Sequence, residues 1–261
     1  MATDPITETV HAEDGTAIAF DRSGTGPPLI LVEGATCFRA NSPLRGLAGL
    51  LTTDFTVYTY DRRGRGDSGD GPAYAIGREV EDLDALIGAA GGWAFVHGVS
   101  SGALLAMRAA ADGLAIPRLS LFEPPVRLDD DEPETSHFTA EMTRLIAADR
   151  RQEALERFLT SIGIPDEVVA GMIASTPALV QAAHTIVYDC IISDATTVEV
   201  AASVKTPTLV VDSEGSTEDL TGWAAAVMDA LPNGTHRSLA GEWHRVPDAD
   251  LAPVITRFLL G

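Results

Sequence analysis

The sequence predicts an α/β fold in which helices flank a mostly parallel central sheet and a helical cap insertion interrupts the chain. Short apolar runs that end at Gly, Pro or Asp alternate with amphipathic helical patterns, as in parallel sheets covered on both faces. One long middle segment carries helical patterns only. We therefore expect a core domain of residues 1–125 and 203–261 and a cap insertion of residues 126–202.

The first two elements predict a β-hairpin, because Glu13-Asp14-Gly15 supplies the positive φ of a tight turn between TETVHA and TAIAFD. Parallel strands are predicted next, at PPLILVEG, FTVYTYD, WAFVHG, LSLFEP and TPTLVVD. Amphipathic helices are predicted between them, at SPLRGLAGLL, AIGREVEDLDALIGAAG and SGALLAMRAAA.

The insertion opens with the acidic segment LDDDEPET and continues with the helical stretches TAEMTRLIAAD, QEALERFLTSI and PDEVVAGMIAS. The sheet is expected to resume only at TPTLVVD. The chain then predicts a helix at TGWAAAVMDALP, a strand at THRSLAG and a final helix from about Asp250.

The composition limits the classes of partner. Acidic residues outnumber basic ones 38 to 18, and the net charge of −20 opposes binding to nucleic acid or to an anionic membrane. No apolar run approaches the roughly 20 residues that cross a bilayer, so we expect a cytoplasmic protein. Its expected oligomeric state is a monomer or a homodimer. Cys37 and Cys190 suggest neither a disulfide framework nor a zinc site, and both are expected to be small core residues.

A glycine-rich segment imitates a nucleotide-binding motif. Gly64, Gly66 and Gly69 have the G-x-G-x-x-G spacing and follow a predicted strand. The next residues, DGPAY, predict a turn, so no helix N-terminus is available to bind a pyrophosphate. We therefore interpret this segment as a loop between a strand and a helix.

The segment Gly98-Val99-Ser100-Ser101-Gly102 joins a predicted strand to a predicted helix. Glycines two residues before and two residues after Ser100 permit a tight turn that projects this side chain above the sheet. Ser100 is therefore the candidate nucleophile, and the N–H of Ser101 is a candidate donor to an oxyanion formed beside it. The alternative is a Ser/Gly turn that only caps the helix.

A serine nucleophile needs a base that accepts its proton. Of the six histidines, His244 is the one predicted in a loop after the last strand, in the segment GEWH. That loop lies at the carboxyl edge of the sheet, where sites in open α/β sheets form. We predict His244 as the base; the alternative is a histidine of a surface loop.

Four features together resemble serine hydrolases of the α/β-hydrolase superfamily over essentially the whole chain: YDRRGRGDSG after the fourth strand, the GVSSG turn, the helical insertion and the GEWH loop. The resemblance implies a Ser–His–acid hydrolase that needs no metal or organic cofactor, with the insertion as a cap over the pocket. Serine at the turn argues against relatives with dehalogenase or epoxide hydrolase activity, which use Asp there. A narrower likeness to hydrolases of resorcylic (zearalenone-type) macrolactones rests on three local similarities. They are the Ser100-Ser101 turn, the Glu-x-Pro-like segment Glu123-Pro124-Pro125, and a residue other than His, Glu33, before the glycine of the oxyanion loop.

The sequence departs from the family pattern at the oxyanion loop. The family usually has His-Gly after the third strand, whereas this chain has Glu33 before Gly34 and Ala35. Because backbone amides are the donors there, either Gly34 or Ala35 is able to contribute one. Glu33 is interpreted as a structural carboxylate; the alternative is a group that shapes the polarity of the site.

The acid of the triad is a second departure. Relatives commonly carry Asp after the strand that corresponds to TLVV, but Ser216 stands there and, with Thr217, is expected to cap the next helix. Three carboxylates remain as candidates: Glu123, Asp212 and Glu214. We favour Glu123, because it ends the preceding strand and a strand end is a rigid place from which to hold the histidine.

These residues predict cleavage of an ester or lactone of a small organic molecule. The alternatives are a carbon–carbon hydrolase or lyase, an acyl-transferring cyclase, and an inactive binding protein of the same fold. In the insertion, His184 and Tyr188 share one face if AAHTIVYDC is helical, and we predict that they line the substrate pocket.

Overall fold

The structure is a computed structural model that describes residues 6–71, 73–128 and 136–261. Its centre is one eight-stranded sheet in the order β1-β2-β4-β3-β5-β6-β7-β8. The strands are β1 (Ile6–His11), β2 (Ala17–Ser23), β3 (Pro28–Val32), β4 (Thr56–Tyr60), β5 (Phe95–Val99), β6 (Leu119–Phe122), β7 (Thr208–Ser213) and β8 (Gly234–Leu239). β2 is antiparallel to β1 and β4, and the other pairs are parallel. The predicted fold class is confirmed.

The strand order places the ends of β3 and β5 next to each other. The chain passes from β3 outward to β4 and then crosses back to β5, which pairs with the other edge of β3. Val32 of β3 is in register with Gly98 of β5. This reversal is a topological switch point, where the loops at the carboxyl ends diverge and leave a crevice.

Helices cover both faces of the sheet and bury two apolar clusters. One cluster is covered by α2 (Ile76–Ala89), α3 (Ser101–Ala111) and α10 (Glu218–Ala230). The other is covered by α1 (Arg45–Leu51) and α11 (Asp248–Leu260). On α2, Val80, Leu83 and Ile87 recur at helical spacing and are buried, as the amphipathic pattern predicts.

Between β6 and β7 the described residues from 136 onward form helices. They are α4 (His137–Ala147), α5 (Arg151–Ser161), α6 (Asp166–Ser175), α7 (Ala178–Gln181), α8 (Ile186–Ala195) and α9 (Val198–Ser203). A third apolar cluster, which includes Met142, Leu155 and Ile186, holds several of these helices together. The cluster supports the interpretation of residues 126–202 as a cap insertion, whose bounds stay a prediction.

The structure confirms the predicted first hairpin and adds detail to the predicted helices. The first hairpin turns at Gly15 with φ +83°, and the last helix begins at Asp248 rather than about Asp250. The sequence patterns did not predict α7 and α9, and the stretch AAHTIVYDC, considered as a helix from the sequence, belongs to α8 only from Ile186 onward. Most of the acidic segment LDDDEPET, residues 129–135, lies outside the described residues.

Two further expectations concern cysteines and membranes. Cys37 is half-buried and Cys190 is buried, and both are unpaired thiols. Within the described ranges, every helix is too short or too polar to cross a bilayer.

Candidate active site

The predicted turn at Ser100 has the backbone geometry of a strained strand-to-helix junction. Ser100 has φ +54° and ψ −127°, a conformation that non-glycine residues rarely adopt. Its N–H donates to Phe122 O at 2.9 Å, which ties the turn to the neighbouring strand. A Cβ on Gly98 would lie 2.6 Å from Gly102 O, and one on Gly102 would lie 2.4 Å from Val32 O. Both positions therefore require glycine.

Ser100 lies at the wall of a cavity of about 560 Å³ between the sheet and the insertion. Residues from the core supply one part of the wall: Ala35, Ser100, Ser101, Thr217, Leu220, Trp223, Trp243 and His244. The insertion supplies another, which includes Phe138, Phe158, Ile162, Asp189, Cys190 and Asp194. The cavity therefore combines a serine, a histidine and a largely apolar surround.

Glu123 and His244 form a hydrogen-bonded pair at this cavity. Glu123 directly follows β6 and is fully buried. Its Oε2 lies 2.5 Å from His244 Nδ1, and its Oε1 accepts from Ser213 N at 2.8 Å. Both carboxylate oxygens are thus engaged, so the pair fixes the orientation of the imidazole.

The other two candidate acids have different surroundings. Asp212 accepts from the Ser238 hydroxyl at 2.5 Å and pairs with His236 Nε2 at 2.6 Å. Glu214 is exposed. Of the three carboxylates considered from the sequence, only Glu123 contacts His244 in the described chain.

Ser216 has a role that the sequence did not predict. Its hydroxyl accepts from His244 N at 2.8 Å, and Thr217, the residue before α10, makes no side-chain cap hydrogen bond. The expectation that these two residues cap the helix is therefore wrong. Ser216 instead holds the backbone of the loop that carries His244. Ser213 Oγ donates to Glu242 O in the same loop at 2.7 Å.

The serine and the histidine share the cavity without a hydrogen bond between them. Within the described ranges, the Ser100 hydroxyl makes no side-chain hydrogen bond. The imidazole of His244 packs against Phe122 and Trp243, with ring centroids 5.7 and 5.6 Å away. A hydrogen bond between the serine and the histidine of an active site is often long when no ligand is bound, and it tightens when substrate binds.

The predicted oxyanion loop is held by two buried arginines. Arg65 donates to Gly34 O at 2.7 Å, and Arg62 donates to Glu33 O at 3.3 Å. In a trans peptide the N–H points opposite to the C=O, so the Gly34–Ala35 peptide directs the Ala35 N–H away from Arg65. Ala35 lines the cavity, which makes its amide the better placed of the two predicted donors. Ser101 is the first residue of α3, and its N–H has no intrahelical acceptor.

Glu33 lies behind the oxyanion loop. It is buried and accepts a hydrogen bond from the Ser42 hydroxyl, and Oε2 has no hydrogen-bond partner among the described residues. Burial raises the pKa of Glu33 to about 7. Glu33 is absent from the cavity wall, and this position supports its interpretation as a structural carboxylate.

A buried ion network joins the turn to the insertion. The Ser101 hydroxyl donates to Asp189 of α8 at 2.8 Å. Arg62 and Arg65 donate to the two oxygens of Asp189 at 2.9 and 2.6 Å, and Arg62 also makes a bidentate pair with Glu79. Burial opposes ionisation of Asp189, but the two guanidinium charges lower its pKa. The run YDRRGRGD signals basic residues after a strand, yet it does not reveal their distant partners.

The predicted pocket residues His184 and Tyr188 lie elsewhere. Both contact Asp70, through His184 Nε2 at 3.0 Å and the Tyr188 hydroxyl at 2.9 Å. Tyr188 stacks on Tyr74 with centroids 3.9 Å apart. Neither residue is in the cavity wall, so the prediction that they line this pocket is wrong. His184 lies in a 3₁₀ turn before α8, and the pair fastens the insertion to the loop after β4.

The glycine-rich segment forms a loop, as interpreted. Gly64 and Gly66 have positive φ, and a Cβ on Gly66 would lie 2.2 Å from Asp61 Oδ2. The next helix begins only at Ile76. The glycines therefore permit the backbone to fold closely around Asp61.

An eight-stranded sheet of this order, with a serine at the turn after β5, defines the class of α/β hydrolases. Residues 23–255 match the model of the Alpha/beta hydrolase family. The chain belongs to this family. It is similar to an alpha/beta hydrolase from Sphaerobacter thermophilus, with 44% identity, a TM-score of 0.86 and coverage of 96% of this chain and 99% of that one.

Two other solved structures carry more specific names. An N-formylmaleamic acid deformylase from Pseudomonas putida is 25% identical, with a TM-score of 0.67 over 96% of this chain and 99% of that one. An enol-lactonase from Burkholderia xenovorans is 19% identical, with a TM-score of 0.69 over 97% of this chain and 100% of that one; at this identity the likeness concerns the fold. No curated protein matches the chain.

Proposed function

We propose that this hydrolase cleaves an ester or lactone bond of a small organic molecule through a Ser100–His244–Glu123 triad and an acyl-enzyme. The observation that carries the proposal is the hydrogen bond from His244 Nδ1 to the fully buried Glu123, at the wall of the cavity that Ser100 also lines. Serine becomes a nucleophile only beside an oriented base, and these contacts orient one.

The first half-reaction transfers the acyl group to the enzyme. Ser100 Oγ attacks the carbonyl carbon while His244 Nε2 accepts the hydroxyl proton. The amides of Ser101 and Ala35 donate to the oxyanion, and one such donor is typically worth about 3 kcal/mol of barrier. The C–O bond of the substrate then breaks, and the imidazolium returns its proton to the leaving alkoxide.

The second half-reaction releases the acid. Water attacks the acyl-enzyme and gives its proton to His244, which then protonates Ser100 Oγ as the ester bond breaks. An ester yields an acid and an alcohol, whereas a lactone yields one hydroxy acid. Glu123 keeps its charge throughout and stabilises the imidazolium of both steps.

The cavity supports a small substrate with an apolar body. Its volume of about 560 Å³ lies within the range of drug-sized ligand sites, and its wall is mostly apolar and includes Phe138, Phe158, Trp223 and Trp243. The enol-lactonase named above acts on a lactone within a similar fold. The narrower likeness to resorcylic macrolactone hydrolases stays a prediction, and release of a hydroxy acid from such a lactone tests it.

Labelling with a fluorophosphonate tests the triad most directly. We expect one adduct, on Ser100, when the labelled protein is digested and its peptides are analysed by mass spectrometry. Ser100→Ala should remove the label and reduce hydrolysis of 4-nitrophenyl esters to the uncatalysed rate while far-UV circular dichroism is unchanged. Ser101→Ala is the matched control, because it keeps the backbone amide and should still be labelled. An unlabelled wild-type protein, under conditions that label a control esterase, would favour an inactive binding protein.

A further inference from the structure

Arg127 is a charged residue of the cavity that the proposed mechanism does not use. It lies four residues after Glu123, and its backbone N–H donates to Thr196 O at 2.9 Å. A parallel bridge to Thr197 further ties this segment to the chain that enters α9. Arg127 is therefore held at the base of the insertion, and it is part of the wall that also contains Ser100 and His244.

The guanidinium of Arg127 lacks hydrogen-bond acceptors. Its Nε and Nη1 are buried, and neither has a partner in the described part of the chain. Arginine stays protonated in proteins, and a buried charged donor without an acceptor is unfavourable. By contrast, Arg62, Arg63 and Arg65 are buried in the same molecule and each is paired with carboxylates. Two buried donors of the Arg127 guanidinium thus remain available to an acceptor that enters the cavity.

The acidic residues of the same wall make no hydrogen bond to Arg127 in the described part of the chain. Asp189 is neutralised by two arginines. Asp194 accepts from Ser136 N at 2.8 Å and from the Thr139 hydroxyl at 2.6 Å. Asp219 is exposed in the first turn of α10. Among the lining residues that the structure describes, Arg127 is the only arginine or lysine, and its guanidinium is the one cationic group of the wall with buried donors that lack an acceptor.

We propose that Arg127 binds a carboxylate of the substrate, so that the enzyme acts on esters or lactones that carry a carboxylate group. This inference rests on the proposed hydrolase function. The planar fork of a guanidinium matches a carboxylate with two parallel hydrogen bonds, and Arg127 is half-buried with its Nε and Nη1 atoms inaccessible to solvent. On a chain of net charge −20, such a desolvated local charge is what overcomes the general repulsion of an anion.

A pair of matched esters measures this selectivity. The 4-nitrophenyl ester of valeric acid and the mono-4-nitrophenyl ester of adipic acid differ by one terminal carboxylate. We expect wild-type protein to have the higher kcat/KM for the adipate ester. Arg127→Gln should lower the ratio of the two kcat/KM values by about 10- to 100-fold, the range of a charge-assisted hydrogen bond. Because both kcat/KM values are measured with the same variant, a general loss of activity cancels in their ratio.

Two further variants separate charge from geometry. Arg127→Lys keeps the charge and loses the fork, so its ratio should fall between those of wild type and Arg127→Gln. Arg144→Gln removes an exposed positive charge from α4 and should leave the ratio unchanged. A wild-type preference for the valerate ester, or a ratio that Arg127→Gln changes less than about twofold, would overturn the inference.

A binding measurement keeps the inference independent of catalysis. Adipamate and adipamide differ by one carboxylate, and NMR titration should show tighter binding of adipamate to wild type but not to Arg127→Gln. If neither ester is hydrolysed and Ser100 is not labelled, the proposed function fails while this titration still decides the role of Arg127. Equal binding of the two amides by wild type would refute it.

Discussion

Replacing Glu123 by Gln should reduce kcat/KM by about 10⁴-fold if the roles match a serine-hydrolase triad. At about 1.36 kcal/mol per factor of ten, this loss corresponds to roughly 5.4 kcal/mol of barrier. The substitution keeps the shape of the side chain and removes its charge. Its effect follows from the two contacts that the carboxylate makes, to His244 Nδ1 and to Ser213 N.

A glutamine cannot satisfy both contacts as the carboxylate does. If its oxygen keeps the bond from Ser213 N, its NH₂ group faces His244 Nδ1, which must then be the acceptor. The ring proton moves to Nε2, and the imidazole no longer accepts a proton from Ser100. If the amide flips, NH₂ meets the N–H of Ser213 in a fully buried position, at a cost of about 1–3 kcal/mol. The flipped form restores the tautomer but not the charge beside the imidazolium.

The assay compares initial rates of 4-nitrophenyl butyrate hydrolysis for the variant and wild type at neutral pH. Asp212→Asn and Glu214→Gln are the matched controls, since neither side chain contacts His244 in the described structure, and each should cost far less activity. Thermal unfolding checks that all three variants fold. Retention of more than a tenth of wild-type activity by Glu123→Gln, together with a crippled Glu214→Gln, would refute the assignment of the acid.

Three further predictions follow from contacts around the site. Asp189→Asn leaves Arg65 without a charged partner and Arg62 with Glu79 alone, so the unfolding free energy should fall by about 3–5 kcal/mol in chemical denaturation, as for broken buried ion pairs; a loss below 1 kcal/mol would contradict the network. His184→Ala removes a contact to Asp70 outside the cavity, so the melting temperature should fall while the ratio of kcat/KM between short and long acyl esters stays constant; a changed ratio with unchanged stability would return His184 to the pocket. Glu33 binds a proton more tightly when folded, with its pKa raised by burial from 4.5 to about 7, so it contributes stability at low pH that is lost as pH rises from 4.5 to about 7, and the loss levels off above that. Glu33→Gln should flatten this part of the melting-temperature profile between pH 5 and 8, and a profile identical to wild type would exclude that contribution.

The sequence predicts the parts of the site that depend on local backbone rules. The Gly98–Gly102 spacing determines the turn at Ser100, because a side chain at either glycine would collide with neighbouring backbone. The order of the strands also predicts which loops lie next to each other. Glu123 follows β6 and His244 follows β8, and loops at the carboxyl edge of one sheet meet.

The sequence does not predict contacts between side chains that are distant along the chain. Ser216 stands where a cap residue fits, and nothing local shows that its hydroxyl accepts from His244 N. His184 and Tyr188 do share a face, with ring centroids 5.9 Å apart, but that face meets Asp70, and the i, i+4 spacing does not show which way a shared face points. The pairing of Arg65 with Asp189 spans 124 residues, and no periodic pattern encodes such a pair.

The tie between Ser101 and Asp189 limits how modular the insertion is. Helix α8 supplies the buried anion that pairs with Arg65 and shares Arg62 with Glu79, and these arginines in turn hold the predicted oxyanion loop. An insertion grafted from a relative therefore has to bring an acid to the position of Asp189, or the core keeps the buried charge of Arg65 without a carboxylate partner close to Ser100. Chimeras that exchange the segment before α8 and retain α8 itself keep that balance, which makes this boundary the natural crossover point for engineering new substrate ranges.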